Sequence, residues 1–253
     1  MPRKRRQKSS IGVYHIMLRG VNKQTIFEED EDNRRFLKIL KRYKDISKFE
    51  LYGYCLMGNH VHLLMKETEE TVSSVMKRIN SSYVYWYNQK YDRYGPLFQD
   101  RFKSETVESN FSFQRVLRYI HQNPLKAGLA QDVFDYQWSS IHEYLQKENL
   151  VNSDAGLRMF YTEGEASIPY FIQYMRESNT DQYLDDERKI KVSDQEIWEY
   201  IHQLGVQNSS ILQQMERDRR DAVISSLKRL NGVSVRQISR LTGISKSVID
   251  RIR

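Results

Sequence analysis

Two runs rich in β-forming residues, 49–57 and 60–65, are separated only by Gly58 and Asn59. A gap that short admits a tight hairpin and nothing longer. In the second run His60 and His62 are one residue apart, so strand alternation turns both toward one face and sends Val61 and Leu63 to the other. Two imidazoles at that spacing can grip one metal ion. A His-x-His pair also occurs as ordinary polar residues on a half-exposed strand, and residues further along the chain decide between the two.

The rest of the first half supplies the partners of this hairpin. Residues 11–18 (Ile-Gly-Val-Tyr-His-Ile-Met-Leu) read as a first strand. His15 within it suits either core packing or an approach to the histidine pair. Phe36, Leu37, Leu40 and Tyr43 recur at helical spacing and predict a helix over 31–47. A second helix is expected from about 71 to 91, broken before Pro96, and a fourth strand over 103–107. Ser109 or Asn110 can cap a third helix over 111–122, which Asn123-Pro124 is expected to end. The order is that of an α+β, ferredoxin-like βαββαβ fold: an antiparallel sheet with helices on one face, plus one added helix. The histidine strand is then central.

Composition narrows the function class. The 253 residues carry a formal charge of +7, which favours polyanionic partners, and include seventeen tyrosines, which suit base stacking as well as packing. Cys55 is the only cysteine, so intramolecular disulfides and thiolate zinc sites are excluded. No apolar run is long enough to span a membrane, and the start (Pro2-Arg3-Lys4-Arg5-Arg6-Gln7-Lys8) lacks the apolar segment of a signal peptide. A cytoplasmic, nucleoid-associated protein is the expectation, with a basic arm over 1–10.

On the third helix Tyr119 and Asn123 are four residues apart and share a face. A tyrosine hydroxyl, with its pKa near 10, is a poor nucleophile without help. A metal on a target phosphate supplies that help by neutralising charge. Asn123 is placed either to complete the metal's ligands or to orient the reacting group. Tyr83, Tyr87 and Tyr91 on the preceding helix are alternative nucleophiles.

Four blocks carry a family resemblance: Gly-Asn-His-Val-His-Leu-Leu from Gly58, Gly-Pro-Leu-Phe-Gln-Asp-Arg-Phe-Lys-Ser from Gly95, Tyr-Ile-His-Gln-Asn-Pro-Leu-Lys-Ala-Gly-Leu from Tyr119, and Trp138-Ser139-Ser140. Over about residues 14–144 the chain resembles the REP-associated tyrosine transposases, single-tyrosine HUH enzymes of the insertion-sequence-200 type. The resemblance implies a nuclease domain over 11–148 that cuts single-stranded DNA near hairpins. It makes His60 and His62 the metal pair, Tyr119 the nucleophile forming a 5′-phosphotyrosine, and Asn123 the polar residue one turn on, a position where relatives can carry Gln. It implies Mg²⁺ or Mn²⁺; two imidazoles suit Mn²⁺ at least as well, because magnesium prefers oxygen ligands. It leaves a homodimer possible. Arg3, Lys4, Arg5, Arg6, Arg19, Arg101 and Lys103 are the candidates for DNA backbone contacts.

Beyond residue 148 the pattern changes. Residues 149–192 read as a polar, partly helical connector with acidic residues Asp181, Asp185, Asp186 and Glu187. Residues 193–253 read as an all-α domain ending in a helix-turn-helix, with its turn at Gly243 and its second helix capped by Ser245. From Arg217 to Arg253 ten Lys and Arg face three Asp, so the surplus charge is concentrated here. Arg236, Ser245, Lys246, Ser247 and Arg251 are the candidates for duplex contacts; a helical hairpin used for packing or dimerisation is the competing account. For the whole chain the competitors to a DNA-cutting and joining enzyme are a sequence-specific DNA-binding regulator with an inactive HUH fold, and a metal-dependent RNA or nucleotide hydrolase.

Overall fold

The computed structural model describes residues 6–146, 150–160, 168–179, 181, 183–184, 192–230 and 233–252. Its chain divides into two compact units, Met1–Asp186 and Glu187–Arg253. Four strands of the first unit, β1 (Val13–Arg19), β2 (Glu50–Met57), β3 (His60–Lys66) and β4 (Lys103–Val107), form one sheet. Its order is β2-β3-β1-β4, every pairing antiparallel, so β3 and β1 are the central strands. Helices α1 (Asp30–Ser47), α2 (Val72–Lys90) and α3 (Asn110–Lys126) complete the βαββαβ order and its added helix.

Capping residues set where the helices begin. Glu29 and Asp32 form a reciprocal box at the start of α1, Thr71 accepts from Ser74 N at α2, and Ser109 and Ser112 form the box of α3. Alternation then sorts the sheet's side chains. Ile16, Leu18, Val61 and Leu63 are at most 1% exposed on the face that α1 and α2 cover. His15, Met17 and His62 point the other way, toward α3, which crosses β2 and β3.

Helix α3 does not stop at Asn123; it runs on through Pro124 to Lys126. A proline inside a helix removes the bond to the carbonyl four residues back, here Ile120 O. The Asn123 side-chain amide reaches back to this region, donating to Tyr119 O at 2.9 Å and lying 3.5 Å from Ile120 O. That local substitute, with Ala127 N donating to Asn123 O at 3.0 Å, carries the helix past the proline. The expected boundary failed because the rule for residues before proline ignores such a side chain.

The stretch read as a connector adds Val151, Phe160, Phe171 and Met175 to the core of the first unit. After α4 (Glu143–Gln146), helices α5 (Ser153–Arg158) and α6 (Ile168–Arg176) lie in this stretch, and α6 carries Phe171 and Met175. Its last described residues are tied to α3: Asp181 accepts from Arg115 Nε at 2.9 Å and from Arg118 at 3.1 Å, and Glu177 from Arg118 at 3.2 Å. Asp185, Asp186 and Glu187 lie outside the described residues.

The second unit is helical: α7 (Asp194–Gln203), α8 (Ser209–Gln214), α9 (Arg217–Arg229), α10 (Val235–Thr242) and α11 (Lys246–Arg251). Ile197, Ile201, Leu212, Ile224, Leu227, Ile238 and Ile249 form its own core. Between α10 and α11 Gly243 has φ +71°, a left-handed conformation that calls for glycine. Arg236, Ser245, Lys246, Ser247 and Arg251 are all exposed on this pair of helices. Among the described residues no helix is long and apolar enough to cross a membrane.

Candidate active site

The tight turn at Gly58-Asn59 fixes the start of the site. Gly58 O accepts from Ile26 N at 2.8 Å and Asn59 O from Gly20 N at 2.9 Å, so the hairpin tip is tied to the loop after β1. Neither turn residue has a left-handed φ. From this tip β3 carries His60 opposite Arg19 and His62 opposite Met17. The two rings stand perpendicular, 5.1 Å between centroids. Each imidazole has Nδ1 turned to a protein partner: His60 Nδ1 is 2.6 Å from Asn59 Oδ1, and His62 Nδ1 is 2.9 Å from His15 Nε2.

Helix α3 brings Tyr119 onto the same face. Its ring meets His62 edge-on at 5.7 Å and His15 at 5.8 Å, and the residue is 2% exposed. Lys126 Nζ lies 5.0 Å from its centroid. Tyr183, from the tethered segment, packs edge-on against Tyr119 at 4.9 Å and against His15 at 5.8 Å. Asn123 is one turn from Tyr119 with its amide nitrogen on the helix backbone, which leaves Oδ1 as its ligand-type atom.

The alternative tyrosines lie on the α1–α2 face. Tyr83 donates to Ile26 O at 2.6 Å, Tyr87 to Glu28 at 3.1 Å and Tyr91 to Asp32 at 2.8 Å. Burial, with neighbouring carboxylates, pushes all three phenols above their ordinary pKa, so they stay protonated and away from the histidines.

The other sequence candidates divide. Cross-strand pairing puts Arg19 beside His60, and Lys103 beside Met17, on the face that carries the histidines. Arg101 is exposed just before β4. Arg6 is turned inward, its guanidinium 3.6 Å from the Phe102 centroid and donating to Phe102 O at 2.8 Å. Arg3, Lys4 and Arg5 lie outside the described residues. Arg236, Ser245, Lys246, Ser247 and Arg251 belong to the second unit.

Three participants escape sequence reasoning: His15, whose role the sequence leaves open, Glu105 and Tyr183. His15 is fully buried, and its Nδ1 is 3.7 Å from Glu105 Oε2. Their nearness depends on the register His15↔Glu105, which no local pattern announces.

His121, next to this group in sequence, serves the fold instead. Its Nε2 is 2.9 Å from Ser140 Oγ, and burial, with His142 nearby, lowers its pKa from 6.5 to about 3. The folded chain therefore holds it neutral where the unfolded chain takes up a proton. Its stabilising share is complete above about pH 6.5 and is lost as pH falls toward 3. Urea unfolding at stepped pH is expected to show stability falling in that window by at most about 1.4 kcal/mol per pH unit from this proton. In His121→Gln the slope flattens; an unchanged slope contradicts the assignment.

Residues 9–123 match the family model described as "Transposase IS200 like". In these residues the chain is similar to the IS200-like transposases. The chain is 26% identical over 112 residues to a Haemophilus influenzae protein assigned by name to the REP-associated tyrosine transposases, covering 40% of this chain. The chain spans 63% of that relative's length. A solved structure, titled as the REP-associated tyrosine transposase bound to a REP hairpin, superposes with a TM-score of 0.50 at 18% identity. It covers 66% of this chain and 94% of its own, and at that identity it speaks for the fold alone.

Among the described residues no three His, Cys, Asp or Glu side chains converge as a metal-binding group. His60, His62 and Asn123 nevertheless offer a donor set that fits a divalent cation with an open shell. With Nδ1 of His60 and of His62 each beside a protein partner, Nε2 is the atom of each ring that would bind a metal. Ligating histidines are ordinarily oriented through their other nitrogen in this way.

Proposed function

We propose that the chain is a transposase-type endonuclease and strand transferase that cuts single-stranded DNA near a hairpin through Tyr119. One observation carries this reading: His60 and His62 from one sequence block and Tyr119 from another converge on one face of the sheet. The name and title of the relatives, a REP-associated tyrosine transposase and one bound to a REP hairpin, support it.

In this mechanism Tyr119 Oη attacks the scissile phosphorus in line. The bond to the 3′ oxygen breaks, the phenol loses its proton, and the products are a 5′-phosphotyrosine and a free 3′-hydroxyl. Attack by a 3′-hydroxyl reverses the step, so joining needs no outside energy. A divalent cation, Mn²⁺ or Mg²⁺, held by Nε2 of His60 and His62 with Oδ1 of Asn123 available, would neutralise phosphate charge and make phosphorus more electrophilic. Arg19 and Lys103, on the histidine face, position the backbone of the strand. Because Tyr119 is 2% exposed, the substrate reaches its hydroxyl only by displacing a covering side chain such as Tyr183.

The test is incubation of the full chain with labelled hairpin DNA and Mn²⁺, resolved under denaturing conditions. A metal-dependent adduct of protein size supports the reading. Cleavage without adduct points to the hydrolase, and tight binding without cleavage to the regulator.

The exposed residues of α10 and α11 form the proposed duplex contact of the second unit. Replacing Lys246 and Arg251 together by Ala is expected to reduce the slope of log affinity against log salt by about 0.9 per lost phosphate contact. An unchanged slope on hairpin-bearing duplex removes this unit from the DNA interface.

A further inference from the structure

We propose that His15 and Glu105 are positioning residues that set the tautomer of His62; the inference rests on His62 acting as a metal ligand through Nε2. An imidazole can ligate through Nε2 only if its proton sits on Nδ1. His62 Nδ1 lies 2.9 Å from His15 Nε2, and the rings are stacked at 5.2 Å with 27° between planes. Two neutral histidines in contact have two ways to share this bond. Either His62 donates and His15 accepts, or the reverse, and the reverse puts the His62 proton on Nε2 and blocks the metal.

Glu105 breaks the tie. Its carboxylate lies 3.7 Å from His15 Nδ1, which is buried and has no hydrogen-bond partner among the described residues. A negative charge there favours a proton on His15 Nδ1, which makes His15 Nε2 the acceptor and His62 Nδ1–H the donor. The chain Glu105, His15, His62 thus follows the carboxylate–histidine–metal arrangement with one more imidazole inserted. Strand pairing builds it: His15 faces Glu105 on β4 and is one diagonal step from His62 on β3. His60 is oriented separately by Asn59, so the two candidate ligands have independent supports.

Long-range ¹H–¹⁵N spectra of histidine-labelled, metal-free full-length protein read the tautomer directly. His62 is expected in the Nδ1–H form, and an Nε2–H form in the wild type overturns the proposal without any variant. His15→Phe removes the acceptor and is expected to mix the His62 tautomers and weaken Mn²⁺ binding about 10–100-fold in titration calorimetry. His15→Gln, whose amide oxygen can accept the same proton, is expected to restore most of that affinity. Glu105→Gln, at a half-exposed edge position that spares the fold, is expected to mix the tautomers in part. Unchanged tautomer and affinity in His15→Phe and Glu105→Gln overturn the relay. Wild-type Mn²⁺ affinity in His62→Ala overturns instead the ligand reading on which the relay rests.

Discussion

Tyr119→Phe is expected to abolish the protein–DNA adduct and to lower cleavage by as much as the roughly 10⁶-fold that loss of a nucleophile costs a covalent enzyme. The substitution removes one oxygen and keeps the ring, so its packing against His62, His15 and Tyr183 stays in place. Loss of activity then reports on chemistry and not on folding. Tyr83, Tyr87 and Tyr91 cannot stand in, because they are hydrogen-bonded on the α1–α2 face of the sheet. A denaturing gel with matched far-ultraviolet circular dichroism checks this. An adduct that persists in the Phe variant moves the nucleophile elsewhere.

His60→Ala is expected to have the second largest effect. Its imidazole is half-buried near the hairpin tip, so its removal leaves the core intact. A lost metal ligand withdraws several kcal/mol of charge stabilisation, or about 10²–10⁴ in rate. Single-turnover rates should fall by that factor and should stop responding to added Mn²⁺. His62→Ala is expected to match it in rate but to lose stability as well, because His62 is fully buried against His15. A His60→Ala variant that keeps the wild-type Mn²⁺ response contradicts the metal role.

The elements were legible in the sequence because local chemistry dictates them. The Gly58-Asn59 spacing fixed the hairpin, β-former content marked the strands, and capping residues such as Ser109 marked the start of α3. The faces were legible for the same reason: alternation over three residues is enough to place His60 and His62 together. What the sequence could not announce was register. Whether His15 meets Leu64 or slips by two residues decides if it reaches His62, and the β-formers of β1 are compatible with either. Glu105 and Tyr183 share that difficulty, one resting on strand pairing and the other on ion pairs between α3 and Asp181. The passage of α3 through Pro124 was hidden differently, in a side-chain donor that propensity rules do not count.

The proposed chemistry turns on a covalent bond between one phenolic oxygen and DNA. It is read most directly by mass spectrometry of the tryptic digest of the adduct formed with Mn²⁺ and a hairpin substrate. Nucleotide mass is expected on the peptide that begins at Tyr119 and ends at Lys126, with the fragment ions placing it on Tyr119. The same mass on Tyr183, or on any tyrosine of α2, would contradict the assignment of Tyr119 as the nucleophile.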